Sequence, residues 1–272
     1  MNKALPSGID LGTSAHAIDL GWTTLRPASD AVVLGALTAP TLENVAPLPL
    51  AGDLADALFA HIDRPEFPCV GAKAAMARGN LEVLTCRRLD SAWDDLRIHA
   101  GLLGFAEAYL ADPGLFRSFA VVFDGPAQLS EEGFEALMWD RLQSLSDKDV
   151  WRGQEYDSAV SPDPGDPHFS LSFGGAAFFV VGLHPAASRP ARRFARPALI
   201  FNLHDQFEQL RAANKYEGLR ETILLRDEQL AGSPNPMLAR HGEISEARQY
   251  SGREVAADWR CPFAYRGEIA DD

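Results

Sequence analysis

At 272 residues, 46% of them hydrophobic and 23% charged, the chain can bury a sizeable core and has an ordinary globular composition. Its formal net charge of −13 argues against general nucleic-acid binding, which needs a basic face, and no apolar run approaches the roughly 20 residues that cross a bilayer. Three cysteines, Cys69, Cys86 and Cys261, cannot complete a disulfide framework and contain no CxxC zinc pair; with no signal-peptide pattern at the N-terminus, a reducing cytoplasm and no membrane are expected.

Residues 1–48 are rich in Ala, Pro, Thr and Gly and lack sustained periodicity. An irregular arm is expected there, with a short strand at 31–37, ahead of one domain over 49–272. From Asp53, a candidate cap, "LADALFAHI" places Leu54, Leu58 and Ile62 on one helical face. "PEFPCVGAKAAMARGN" reads as a turn, an Ala-rich helix and a Gly-Asn stop. "LEVLTCR" alternates like a strand, and "SAWDDLRIHAGLLGFAEAYLADPG" reads as one long helix ended by Asp-Pro-Gly. "FRSFAVVFDGP" is a buried strand, followed by a helix with Ser130 at its N-cap and an acidic first turn.

"YDSAVSPDPGDPH" must be loop. "FSLSFGGAAFFVVGL" reads as two strands, or one strand broken at Gly174-Gly175, "PALIFNLH" as another strand, and "DQFEQLRAANKYEGLRETILLRDEQLAGS" as one or two helices. Strands and helices mix without strict βαβ alternation. The expected class is therefore α+β, a single domain with a mixed β-sheet packed by helices and preceded by the arm. No phosphate loop, GxGxxG, GxSxG or HExxH motif occurs, so common nucleotide and hydrolase readings lack support.

The densest chemistry follows an apolar strand. His184 stands where "FFVVGL" ends, and Arg189, Arg192, Arg193 and Arg196 follow closely in an otherwise acidic chain. Guanidinium groups suit small anions because their planar fork donates two parallel hydrogen bonds. A haem would use both features, taking the histidine on its iron and its propionates on arginines. The competing structural reading makes His184 a satisfied strand-end residue and pairs the arginines with nearby acids. Cys69 in "FPCVGAKAA" is the alternative iron ligand, since a helix N-terminus stabilises a thiolate. Its plain reading is a small buried hydrophobe, and Cys261 in "WRCPF" shares that reading.

Two further segments are dense in polar groups. In "NLHDQFEQLR", His204, Glu208 and Arg211 share a helical face; in "HGEISEARQYSGR", Glu243 and Glu246 precede Arg248 and Arg253. Together they offer acids for a cationic group and arginines for a carboxylate, although a surface laced with ion pairs would have the same spacing.

Taken in order, "FPCVGAKAA", "FFVVGLHPAASRPARRF", "FNLHDQFEQLR", "NPMLARHGEISEARQYSGR" and "DWRCPF" resemble the YqcI/YcgG family, over roughly residues 50–265. The resemblance implies a b-type haem and a haem-dependent N-hydroxylase or N-oxygenase. Such an enzyme uses O2 and an external electron donor (a reductase with ferredoxin, or a flavoprotein) in a natural-product, antibiotic pathway. For such a haem His184, contiguous with the arginine run, is the favoured axial ligand and Cys69 the alternative, with Arg189, Arg192, Arg193 and Arg196 on the propionates. Glu208, Glu243 or Glu246 would hold the cationic end of a small basic amino acid, and Arg248 or Arg253 its carboxylate. L-Arginine, giving N-omega-hydroxy-L-arginine, is the specific expectation, and a homodimer is a candidate assembly. The alternatives are a non-catalytic haem sensor or carrier, and a metal-free binding protein for a small anion.

Overall fold

The computed structural model describes residues 51–237, 239–240 and 242–267; the arm expected over 1–48 and its strand at 31–37 lie outside the described residues. Helix α1 (Ala51–Asp63) starts two residues before the proposed cap, so Asp53 sits in the first turn, where a carboxylate favours the helix dipole. Its Leu54, Leu58 and Ile62 are buried as their spacing predicts. Helix α2 (Val70–Ala77) is capped by Cys69, whose Sγ accepts from the Ala72 amide at 3.4 Å. Strand β1 (Leu81–Arg88) leads through a 3₁₀ turn at Ala92–Asp94 into α3 (Asp95–Ala111), then into β2 (Ser118–Gly125). The expected single helix is thus a 3₁₀ turn plus α3.

Helix α4 (Glu131–Trp151) begins at Ser130, whose Oγ accepts from the Gly133 amide at 3.1 Å. Strands β3 (Leu171–Phe173) and β4 (Ala176–Leu183) meet at Gly174-Gly175, with φ of 59° and 74°, the left-handed pair that a two-residue hairpin turn requires. Strand β5 (Ala198–Leu203) runs directly into α5 (His204–Ala212). Asn214 (φ 54°) separates α5 from α6 (Tyr216–Ala231), Gly232 (φ 76°) ends α6, and α7 (Ala247–Tyr250) is a single turn.

The five strands lie in the order β1-β2-β5-β4-β3. Only β1 and β2 are parallel, with α3 as their crossover; the remaining pairs are antiparallel. The described residues therefore form an α+β fold with one mixed sheet. Alternation along the strands decides what each face meets. Phe119, Val121 and Phe123 of β2, Phe178 and Val180 of β4, and Leu199 and Phe201 of β5 pack with α3 and α4. Ala120, Val122, Leu183 and Ala198 turn to the opposite face, where α1 lies. Strand β3 pairs only with Ala176–Phe178, so the later part of β4 has a free edge. Arg192 closes it by donating to Gly182 O at 3.1 Å.

Candidate functional site

On the α1 side of the sheet, the odd residues Phe179, Val181 and Leu183 of β4 and Asn202 of β5 form the floor of a pocket of about 300 Å³. Its walls come from the loop before α2 (Phe67, Cys69), from Phe207 and Leu210 of α5, and from Leu219, Ile223 and Leu224 of α6. The floor is not wholly apolar. Asn202 Oδ1 accepts from Ser118 Oγ at 2.8 Å, and its Nδ2 donates to Phe179 O at 3.4 Å.

Three groups with reactive chemistry line this pocket: Cys69, His204 and Glu246. The Cys69 thiol is pushed up by burial, against the amides of Ala72 and Gly71 and the nearby Arg192 cation, which favour the thiolate. The expectation that the helix N-terminus governs this thiol is thus met in geometry, while desolvation is the larger effect. Glu246 is 4% exposed. Its Oε2 accepts from Ser170 Oγ at 2.6 Å and from the Tyr250 hydroxyl at 3.4 Å, and its Oε1 lies 3.8 Å from His204 Nε2. Burial, then the Glu246 charge, raises the Tyr250 hydroxyl well above its usual range, so it stays a protonated donor.

The arginine run divides. Arg189 and Arg192 line the pocket, whereas Arg193 and Arg196 do not. Arg189 reaches α6, where Nε and Nη2 donate to Asp227 Oδ2 at 3.1 and 2.5 Å. Arg193 donates to the carbonyls of Ala187 and Ser188, and Arg196 to Asp124 O while lying 3.6 Å from the Asp124 carboxylate. These two hold their own loop, as the structural reading of the run expects.

His184 is not brought to the pocket. Leu183 faces the pocket, so the next residue turns to the other side, where the His184 ring stacks on Phe134 of α4 at 4.3 Å. The residue is 1% exposed, and its Nδ1 has no hydrogen-bond partner among the described residues. Burial lowers its pKa to about 4, assisted by Arg192 and opposed by Glu131. His184, the expected haem ligand, therefore lies on the opposite face of the sheet from the pocket floored by Phe179, Val181 and Leu183.

Of the five expected substrate residues, the pocket holds Glu246 alone. Glu208 pairs with Arg211, and Glu243 with Arg240, both on exposed surface. Arg248 donates to the carbonyls of Trp259, Val255 and Ala256, pinning the C-terminal segment. Arg253 pairs with Glu135 of α4. Sequence reading missed Arg117, Arg220, Asp227 and Asn202 as pocket residues. Asn202 alone carried a signal, being an amide inside a short apolar strand, where Asn is depleted.

The site is thus an apolar pocket on one face of a mixed sheet, walled by a helical hairpin and furnished with a few convergent polar groups. Residues 58–264 match the model of the YqcI/YcgG family, and the chain belongs to that family. No curated protein and no solved structure matches the chain. No helix among the described residues is long and apolar enough to cross a membrane.

Proposed function

We propose that this protein is a haem-dependent N-hydroxylase of a small basic amino acid, with L-arginine converted to N-omega-hydroxy-L-arginine as the specific reading. What carries the proposal is the meeting of the Cys69 thiol and the Glu246 carboxylate in one apolar pocket. The residues present fit a haem: apolar walls suit the porphyrin, arginines suit its propionates, and Cys69 offers a sulfur with one amide bond at its back. Cys69 therefore replaces His184 as the candidate axial ligand, and His204 is the imidazole that shares the pocket.

Bound haem would supply O2 activation with electrons from an external donor. The chain's own residues do the rest. Glu246, buried and fixed by Ser170 and Tyr250, holds a cationic nitrogen by a charge-assisted hydrogen bond. Phe179, Val181 and Ile223 keep bulk water from that nitrogen. Without a carboxylate a buried guanidinium would be left unpaired, so a basic substrate suits this wall better than a neutral one.

The test is spectroscopic. Protein reconstituted with hemin should show a specific Soret band that L-arginine perturbs saturably. Cys69→Ser should alter the band and the ferrous–CO spectrum strongly, whereas His184→Ala should leave both near native. Glu246→Gln should weaken the arginine response about tenfold or more. Absence of a specific Soret band after reconstitution refutes the haem reading.

A further inference from the structure

Arg192 stands apart from Arg117, Arg189 and Arg211 of the pocket: among the described residues it meets neither an acid nor an aromatic ring, whereas Arg117, also without an acid, lies over Phe105 and Tyr109. The lining holds five arginines against two acids, Asp227 and Glu246. Asp227 is committed to Arg189, Arg211 has Glu208, and Glu246 faces Ser170 and His204. Arg192 instead donates to three carbonyls: Nη1 to Gly182 and Tyr250 at 3.1 and 3.0 Å, and Nη2 to Gln249 at 3.1 Å. Carbonyl oxygens fix the plane of a guanidinium but do not neutralise it.

The surrounding backbone is shaped to hold this side chain. A Cβ at Gly252, where φ is 82°, would come within 3.1 Å of Arg192 Cγ, and a Cβ at Gly182 within 3.0 Å of the Tyr250 carbonyl that Arg192 uses. Burial lowers the guanidinium pKa to about 10, with Asp227 and Cys69 opposing the shift. Arg193 and Arg248 are likewise held by carbonyls, but Arg193 is exposed and Arg248 lies over the Trp259 ring. A guanidinium has five N–H donors, so Nε and one Nη2 hydrogen remain after these bonds.

We infer that Arg192 is an anion anchor inside the pocket, and that the pocket's ligand presents a carboxylate to it. The inference rests on the pocket and not on the haem reading. The carboxylate has two possible sources, a porphyrin propionate or the α-carboxylate of an amino acid, and paired probes separate them.

The first pair is hemin and hemin dimethyl ester; the second is L-arginine and agmatine, which lacks the carboxylate. Binding of each is measured to the full chain, as purified and hemin-treated, in wild type, Arg192→Gln and Arg192→Lys. Wild type should prefer the carboxylated member of at least one pair by about tenfold or more. Arg192→Gln should lose that preference, and Arg192→Lys should keep part of it. The pair that responds names the source. A preference for L-arginine without any hemin binding would uphold the anchor while refuting the haem reading. The inference is overturned if wild type distinguishes neither pair, or if a folded Arg192→Gln protein keeps the full preference. Should Arg192→Gln fail to fold, Arg192→Lys decides, since an undiminished preference there would equally overturn it.

Discussion

The two faces of the sheet are built on different principles. Under α3 and α4 the strands bury Phe123, Phe173, Phe178 and Phe201 against Phe134 and Trp139, and each of these six side chains is at most 2% exposed. Under α6 the same sheet offers Phe179 and Val181 to a pocket, and the helix above has a single fully buried residue, Asp227. The polar bonds that fasten α6 include the Arg189–Asp227 pair and Arg226 Nη2, which donates to Pro65 O at 2.6 Å and Phe67 O at 3.1 Å. Close packing holds α3 and α4 on one face, whereas charge-assisted bonds help hold α6 over the other. The apolar side of α6 (Leu219, Ile223, Leu224) is thereby left for a ligand to fill. A face that must admit a guest cannot also be filled to interior density.

The largest expected effect tests the packed face. Phe134 is fully buried, stacks on His184 at 4.3 Å, and lies so close to Gly182 that a Cβ there would meet its ring at 2.7 Å. Phe134→Ala should cost about 3–5 kcal/mol, from lost transfer energy plus a cavity that a sheet and a long helix cannot collapse. Chemical denaturation gives the number. A loss below about 1.5 kcal/mol would mean that this face tolerates voids and that the contrast is mistaken.

Acid should act next. Burial lowers His184 on the packed face to about 4, and it lowers His61, in the last turn of α1 and lodged between Phe67 and Phe194, to about 4 as well. Both rings are neutral in the fold, whereas the unfolded chain takes up a proton on each below about 6.5. The stability from each neutral ring is therefore complete above pH 6.5 and is lost as pH falls toward 4, by about 3 kcal/mol per ring at the limit. Denaturation midpoints taken across this window should fall for wild type, and clearly less for His184→Gln. An unchanged slope in the variant would show that His184 is solvated. His61 also refines the comparison, because the second face is tight beneath α1 and open only beneath α6.

Much of this fold is legible in local chemistry. Ser130 caps α4, Gly174-Gly175 turns the β3–β4 hairpin, and the 54–58–62 stripe of α1 meets the sheet as its spacing requires. The site is less legible because both faces of β4 are apolar, so periodicity cannot say which one carries a pocket. Leu183 and His184 are neighbours in sequence and point to opposite layers. Arg253 and Glu135 are 118 residues apart, and their pairing exists only once α7 has docked beside α4. Glu208 and Glu246 look alike in sequence, yet one is exposed beside Arg211 and the other is walled in by Ser170 and Tyr250. What separates them is tertiary burial, which spacing does not encode.

The smallest expected effect is the most discriminating. Ile223 lies on the inner side of α6 and borders the pocket rather than a packed layer. Removing its side chain opens no new enclosed cavity and loses only partial burial. Ile223→Ala should therefore cost about 1 kcal/mol or less in the protein alone. Its consequence should appear when the pocket is filled, as weaker hemin or arginine binding and as a smaller gain of protection in α6. Amide hydrogen exchange reads this directly: α6 should exchange well before α4 in the protein alone, and added ligand should slow α6 selectively. If Ile223→Ala proved as destabilising as Phe134→Ala, or if α6 exchanged as slowly as α4 with nothing bound, the helix would be held by packing, and the space beneath it would not be a ligand's.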